Sequence, residues 1–151
     1  GAVLVDPVSF AVTDSFQTFV RPVIHTRLTR FCTELTTIRQ DQVDGAPGFT
    51  EAIRLLGRFA GPVAPRFCSW GDYDRNQLDR EAKRNNVRLP LARDHLNVKA
   101  AFAEREGHKK RGLGGALQRV GLTFEGTAHR GIDDARNIAR LLPWALGLRP
   151  F

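Results

Sequence analysis

A single α/β domain is the fold class the sequence predicts, on three observations. Short runs rich in Val and Phe open the chain and recur at residues 66–70. Longer amphipathic patterns of helical period fill most of the remainder. The two kinds of run follow one another as strand–strand–helix–strand–helices, the order of a sheet flanked by helices. At 151 residues the chain has the size of one ordinary domain and can bury a real core. It holds no internal repeat, low-complexity tract or linker.

Residues 2–5 of "AVLVD" and 16–20, "FQTFV", read as an antiparallel hairpin, with Pro7, Ser9 and Asp14 between them. Pro22 ends the second strand because proline has no N–H to give a ladder. Residues 31–43 carry Leu35, Ile38 and Val43 among polar groups, which predicts a short helix and a turn, and "DGAPGF" is loop. A clearer helix begins at Thr50, which can cap it. Glu51 suits its first turn, and Ala52, Leu55, Leu56 and Phe59 form one apolar stripe before Gly61 and Pro62 stop it. "RFCSW", residues 66–70, reads as a buried strand. Residues 74–86 read as an exposed helix with only Leu78 and Ala82 facing inward. Helical patterns follow at 98–106 and 113–120. The last helix runs from about Asp133, with Ile138, Leu141, Leu142 and Ala145 on one face, and Pro143 should kink or end it.

A net charge of +7 and a pI near 10.4 point to a polyanionic partner, with nucleic acid ahead of membrane. No apolar stretch approaches the length that spans a bilayer, and no charged-then-apolar leader opens the sequence. The two cysteines, Cys32 and Cys68, are too few for a disulfide framework, so reduced thiols and a cytoplasmic location are expected. The first residue is Gly1, methionine is absent, and the chain opens directly into a strand-like run. It therefore reads as a piece whose own N-terminal part is missing.

Three features are candidates for chemistry. In "SWGDYDRNQL" (69–78) an apolar strand runs into Asp72 and Asp74 just before a helix. Carboxylates at the C-terminal end of a strand lie at the rim of an open sheet, where α/β ligands sit. Asp74 is placed to hold a divalent cation there. The bland alternative, a helix cap at Asp72 or Asp74, is favoured on spacing alone. In "EGTAHRGID" (125–133) His129 occupies a glycine-flanked loop, and Asp134 follows in the first helical turn. An imidazole that titrates near neutral pH beside a carboxylate can serve as a general base next to a metal ligand. The neighbours Asp133 and Asp134 cannot point the same way, so one caps while the other binds. Basic runs form the third feature: Arg75, Arg80, Lys83, Arg84 and Arg88, and then 105–112. Such runs are most often solvated faces, but these two flank both carboxylate motifs, which favours phosphate contact.

Other motifs carry less. "GLGG" (112–115) lacks the Lys-Ser/Thr of a phosphate loop and reads as a turn into the following helix. There is no G-x-S-x-G and no cysteine pair at zinc spacing. Cys68, between Phe67 and Ser69, reads as an inert strand thiol. His95 and His108 read as isolated and exposed. Tyr73, Trp70 and Phe124 are candidates to stack on a terminal base, with Trp70 and Phe124 better placed for the core.

Taken in chain order, "ELTTIRQDQVD" (34–44), "FCSWGDYDRNQL" (67–78), "DHLNVK" (94–99), "RGLGGAL" (111–117) and "LTFEGTAHRGIDDARNIARLL" (122–142) resemble the DEDDh 3′–5′ exonucleases of the enhanced-RNAi branch. The resemblance covers nearly the whole chain, and its closing H-x4-D followed by A-R-N-I-A-R is specific. It implies a ribonuclease H-like fold, a mixed sheet flanked by helices. It implies two Mg²⁺ or Mn²⁺ ions, with Asp74 and Asp134 among their ligands and His129 as the base that deprotonates the attacking water. Two cations about 4 Å apart stabilise the attacking and leaving oxygens of a phosphodiester displacement together. The implied partner is single-stranded nucleic acid with a free 3′ end, RNA ahead of DNA.

One departure matters. The family's first motif, D-x-E on a central strand, is not found at the start of this chain. Its only D-x-E, Asp79-Arg80-Glu81, lies in a helical stretch where residues two apart face different sides. The resemblance therefore implies that the first strand is missing from residues 1–151, that either the sheet has a gap or the isolated piece is unstable, and that this piece alone is inactive. The alternative function is a nucleic-acid-binding or regulatory domain of the same fold without catalysis.

Overall fold

The structure, a computed structural model, describes all residues 1–151. Four strands and seven helices follow in the order β1 (Ala2–Val5), β2 (Val12–Phe16), α1 (Arg30–Thr36), α2 (Gln40–Asp44), α3 (Phe49–Ala60), β3 (Phe67–Ser69), α4 (Tyr73–Arg84), β4 (His95–Asn97), α5 (Val98–Arg105), α6 (Leu113–Arg119) and α7 (Gly131–Ala145). The fold is mixed α/β, as predicted. No helix is long and apolar enough to cross a membrane.

The sheet lies in two pieces. β1 pairs antiparallel with β2, β3 pairs in parallel with β4, and no ladder joins the pairs. This is the gap the resemblance implied. The hairpin is real, but its second strand is Val12–Phe16 and not 16–20. The reason is local: the Asp6 carboxylate accepts from Val8 N, Ser9 N and Ser9 Oγ, and Phe10 N donates to Asp6 O. That tight turn starts the return strand early, and Ala2 already faces Phe16, so residues 17–20 run past the ladder. β4 had no signal of its own in three residues; it exists because α4 and the loop after it bring His95–Asn97 alongside Phe67–Ser69.

The helices depart from prediction mainly at their ends. The 31–43 pattern divides into α1 and α2, because Thr37 enters the left-handed region (φ 58°) and closes α1. α3 is capped at Gly48, not Thr50, which lies inside the helix. α7 starts at Gly131, before Asp133, and continues through Pro143 to Ala145. "GLGG" is a turn only in part: Gly112 caps α6, while Gly114 and Gly115 lie within it.

The core is helical. Val98 and Phe102 of α5, Ala116 and Leu117 of α6, and Leu141, Leu142 and Ala145 of α7 form one buried cluster. The predicted stripe of the last helix supplies its centre. Trp70 and Phe124 pack against this cluster, as the sequence favoured, with Trp70 edge-on to Phe102 at 5.9 Å. An ion triad closes one side: the nearly buried carboxylate of Glu106, at the end of α5, takes Arg111 from the loop and Arg119 from α6. The second basic run is thus partly structural.

Candidate active site

Asp134 sits in the first turn of α7 and Asp74 in the first turn of α4. The two helix starts bring these carboxylates into one another's electrostatic field, although sixty residues of chain separate them. Asp134 is half-buried, and desolvation pushes its carboxyl above the ordinary aspartate range. The His129 backbone N–H and the nearby imidazole oppose that shift, while Asp133 and Asp74 reinforce it. Asp74 is exposed and forms no side-chain hydrogen bond at the helix start. The His129 loop is thus bonded to Asp134, and Asp74 acts on Asp134 through its charge, without the three side chains forming one ligand cluster.

The loop carrying His129 is fastened to α7 at three points. His129 N donates to Asp134 Oδ1 at 3.3 Å, and Thr127 N donates to Asp133 Oδ2 at 3.0 Å. The third fastening is Asn137, which is fully buried. Its Nδ2 donates to Glu125 O and Asp133 O, both at 2.8 Å, and its Oδ1 accepts from Glu125 N (3.1 Å) and Arg140 (2.9 Å). Every hydrogen-bonding site of the amide is used. His129 itself has φ 65°, a left-handed conformation that histidine tolerates better than most residues. Gly126 (φ 87°) is required at the preceding bend, since a Cβ there would strike the Asp133 carboxylate.

Asp133 keeps a structural role, though not as the cap: it holds Thr127 and pairs with Arg136, and the cap position belongs to Arg130. Arg130 also reaches across to Thr37 O at 3.4 Å, tying the α1–α2 junction to this end of α7. Beside it opens a cleft of about 90 Å³, walled by Thr18, Phe19, Ile38, Arg130 and Ile132. A larger hollow of about 460 Å³, lined by Arg105, Arg149 and Phe151, lies at the opposite end of α7, roughly 20 Å away at 1.5 Å rise per residue. Among the aromatic candidates only Tyr73, 77 % exposed at the start of α4, is free to meet a ligand.

Sequence reasoning misplaced His95 and passed over Asn137. His95 is neither isolated nor exposed: its side chain is 13 % exposed and bonded to Ser69. Nothing local signalled this, because the contact depends on β3–β4 pairing. Asn137 did leave a signal, a polar residue inside the apolar stripe of the last helix. Cys68 matches its reading: burial raises its thiol pKa, which disfavours the reactive thiolate.

Carboxylate oxygens suit a hard divalent cation. Asp74 and Asp134 supply part of such a set, and no group of three or more His, Cys, Asp or Glu side chains gathers anywhere in the chain. The Asp79–Glu81 pair takes no part: Asp79 pairs with Arg75 and Glu81 with Arg84 on α4.

Residues 1–142 match the family described as RNase_T, Exonuclease. The chain belongs to the exonuclease family. This exonuclease-family chain is 36 % identical to ERI1 exoribonuclease 2 of Danio rerio, over 93 % of its own length and 29 % of that protein. It is 32 % identical to the 3'-5' exonuclease Snipper of Drosophila melanogaster, over 93 % of its length and 57 % of that protein. It thus spans well under two thirds of the curated relatives it matches. Among solved structures it resembles the nuclease domain of 3'hExo, a DEDDh family member bound to rAMP, with TM-score 0.82 and 28 % identity over 95 % of this chain and 77 % of that one. A 3'-exonuclease solved in work on 3'-end recognition of the histone mRNA stem-loop gives TM-score 0.85 and 27 % identity over 96 % and 54 %. The ribonuclease H-like fold expected from the motifs is therefore the fold. DEDDh exonucleases generally use divalent metal ions, for which carboxylates such as Asp74 and Asp134 are suited ligands.

Proposed function

We propose that the protein containing this chain is a 3′–5′ exonuclease that removes nucleotides from single-stranded nucleic acid, RNA ahead of DNA. The observation that carries this reading is the His129 backbone bonded to Asp134, itself within the electrostatic reach of Asp74, in a chain of the exonuclease family. RNA is preferred because several relatives are named exoribonucleases. The net charge of +7 suits a polyanionic substrate.

Asp74 and Asp134 would hold Mg²⁺ or Mn²⁺, two ions once the D-x-E carboxylates implied by the resemblance are present. The cations supply charge stabilisation to the phosphodiester oxygens when bound. His129 takes the proton of the attacking water, its loop held against α7 by Asn137 and Asp133. The new P–O bond forms from that water, the bond to the 3′-oxygen breaks, and a nucleoside 5′-monophosphate leaves. Tyr73 offers its ring to the terminal base. The two-carboxylate set by itself favours a second reading for residues 1–151 in isolation, a nucleic-acid-binding domain without catalysis.

The test uses the full-length protein and a 5′-labelled single-stranded RNA with Mg²⁺ or Mn²⁺. Asp134→Ala and His129→Ala should each lower the rate by about 10²-fold or more with the fold intact by circular dichroism. Undiminished degradation by either variant refutes the role given to that residue. Activity that persists in excess chelator refutes the metal-dependent reading.

A further inference from the structure

Ser69, His95 and Asp72 form a polar cluster where β3 ends and β4 begins. Ser69 is 4 % exposed, and its Oγ donates to Gly71 O at 2.8 Å. A hydroxyl has one proton, so at the 2.9 Å contact with His95 Nε2 it is the acceptor, and the imidazole carries its hydrogen on Nε2. The arrangement is therefore not a nucleophile with its base, since the serine proton is committed to a carbonyl. Nδ1 faces Asp72 at 3.8 Å, beyond direct hydrogen-bond range. The ring also stacks on Phe67, its partner in the β3–β4 register, at 5.3 Å.

What this cluster fixes is the entry to α4. Gly71 adopts φ +108°, a bend that L-residues with side chains avoid, and Gly71 N donates to Ser69 O at 3.1 Å. Asp72 occupies the cap position but makes no side-chain cap hydrogen bond, so α4 lacks that local means of fixing its start. α4 buries only Ala82, which gives it little core anchorage. The carbonyl held by Ser69 belongs to the peptide leading directly into Asp72, Tyr73 and Asp74.

We propose that His95, acting through Ser69, is a positioning residue for Asp74. The proposal rests on the reading of Asp74 as a metal ligand. Removing the Nε2–H leaves a buried serine oxygen without its donor and frees the 69–72 turn.

The experiment is calorimetric titration of the full-length protein with Mn²⁺ in the absence of RNA. His95→Phe keeps a ring on Phe67 but loses the donor, and it should weaken Mn²⁺ binding about tenfold, the lower range for groups that orient metal ligands. His95→Gln restores an N–H at the same reach and should bind within about twofold of the unsubstituted protein. Ser69→Ala removes the same link and should match His95→Phe, and it serves where the phenylalanine variant does not fold. Asp74→Asn is the control. If it leaves Mn²⁺ binding intact, Asp74 is not a ligand and the inference falls with that reading. If Asp74→Asn weakens binding while both His95→Phe and Ser69→Ala do not, the metal reading stands and this inference alone is overturned. Equal losses in His95→Gln and His95→Phe also overturn it, since the restored donor would then not matter.

Discussion

The two ends of this chain are held together in different ways. From Val98 to Ala145, three helices share one buried cluster, reinforced by the Glu106 triad and by the fully bonded Asn137 amide. Before Val43 no residue is buried, α1 buries nothing, and Val8, Val23, Ile24 and Phe31 are largely exposed. The difference teaches where rigidity is available for chemistry. Asp134 and His129 are mounted on the packed end, whereas Asp74 stands on a polar helix held by a turn. The N-terminal segment meets the start of α7 with Gly1 against Gly131 and Ile132 and through the Arg130–Thr37 bond, and it lends the core only the partly buried Val5 and Phe10.

That contrast can be broken most directly by deleting aromatic rings from each end. Phe102→Ala empties the centre of the helical cluster and should cost about 3–5 kcal/mol in denaturant unfolding. Phe31→Ala, on an exposed face, should change stability by less than about 0.5 kcal/mol. Comparable losses from both would show that the two ends are one cooperative core.

Asn137→Ala comes next. It leaves the Glu125 backbone N–H and C=O without their partners and should cost roughly 2–3 kcal/mol. Faster amide exchange should be confined to residues 124–129, while the centre of α7 stays protected. Loss of protection throughout α7 would make Asn137 a core residue with no special hold on the His129 loop.

The Glu106 triad sharpens the comparison through pH. Hydrogen bonding to Arg111, then to Arg119, holds the Glu106 carboxyl below the ordinary glutamate range in the folded protein. Its contribution is therefore fully present above the ordinary, unfolded-state value and is lost as pH falls through the lower folded value. The melting temperature of Glu106→Gln should lie below that of the unsubstituted protein near neutrality, and the two should converge in acid. A gap that does not narrow in acid would refute the ionic origin.

A small gain is expected at Thr37, a β-branched residue at φ 58°. Thr37→Gly relieves a left-handed strain of about 1–2 kcal/mol and gives back part of it as chain entropy. Thermal unfolding should show a net gain under about 1 kcal/mol. A loss instead would mean that the threonine side chain makes contacts worth more than the strain.

Much of this was legible in the residues. Helical periodicity located α3, α4, α5, α6 and α7, and the apolar stripe of the last helix named Leu141, Leu142 and Ala145 before they were seen to be core. The fold class followed from element order, and the family from motifs spread over nearly the whole chain. These are local or cumulative properties, carried by side-chain type and spacing. Element ends were less legible, because the Asp6 turn and the left-handed Thr37 depend on backbone geometry that composition does not specify.

The sequence by itself determined that this is an α/β chain of an exonuclease family, and which carboxylates and histidine to watch. Only the tertiary structure decided that Asp74 and Asp134 share one field, that Asn137 fastens the His129 loop, and that His95 belongs to Ser69 and the entry of α4. The physical reason is range. Periodicity and capping act over a few residues, whereas a strand pair such as β3–β4, or two helix starts sixty residues apart, meet only when the core between them has packed.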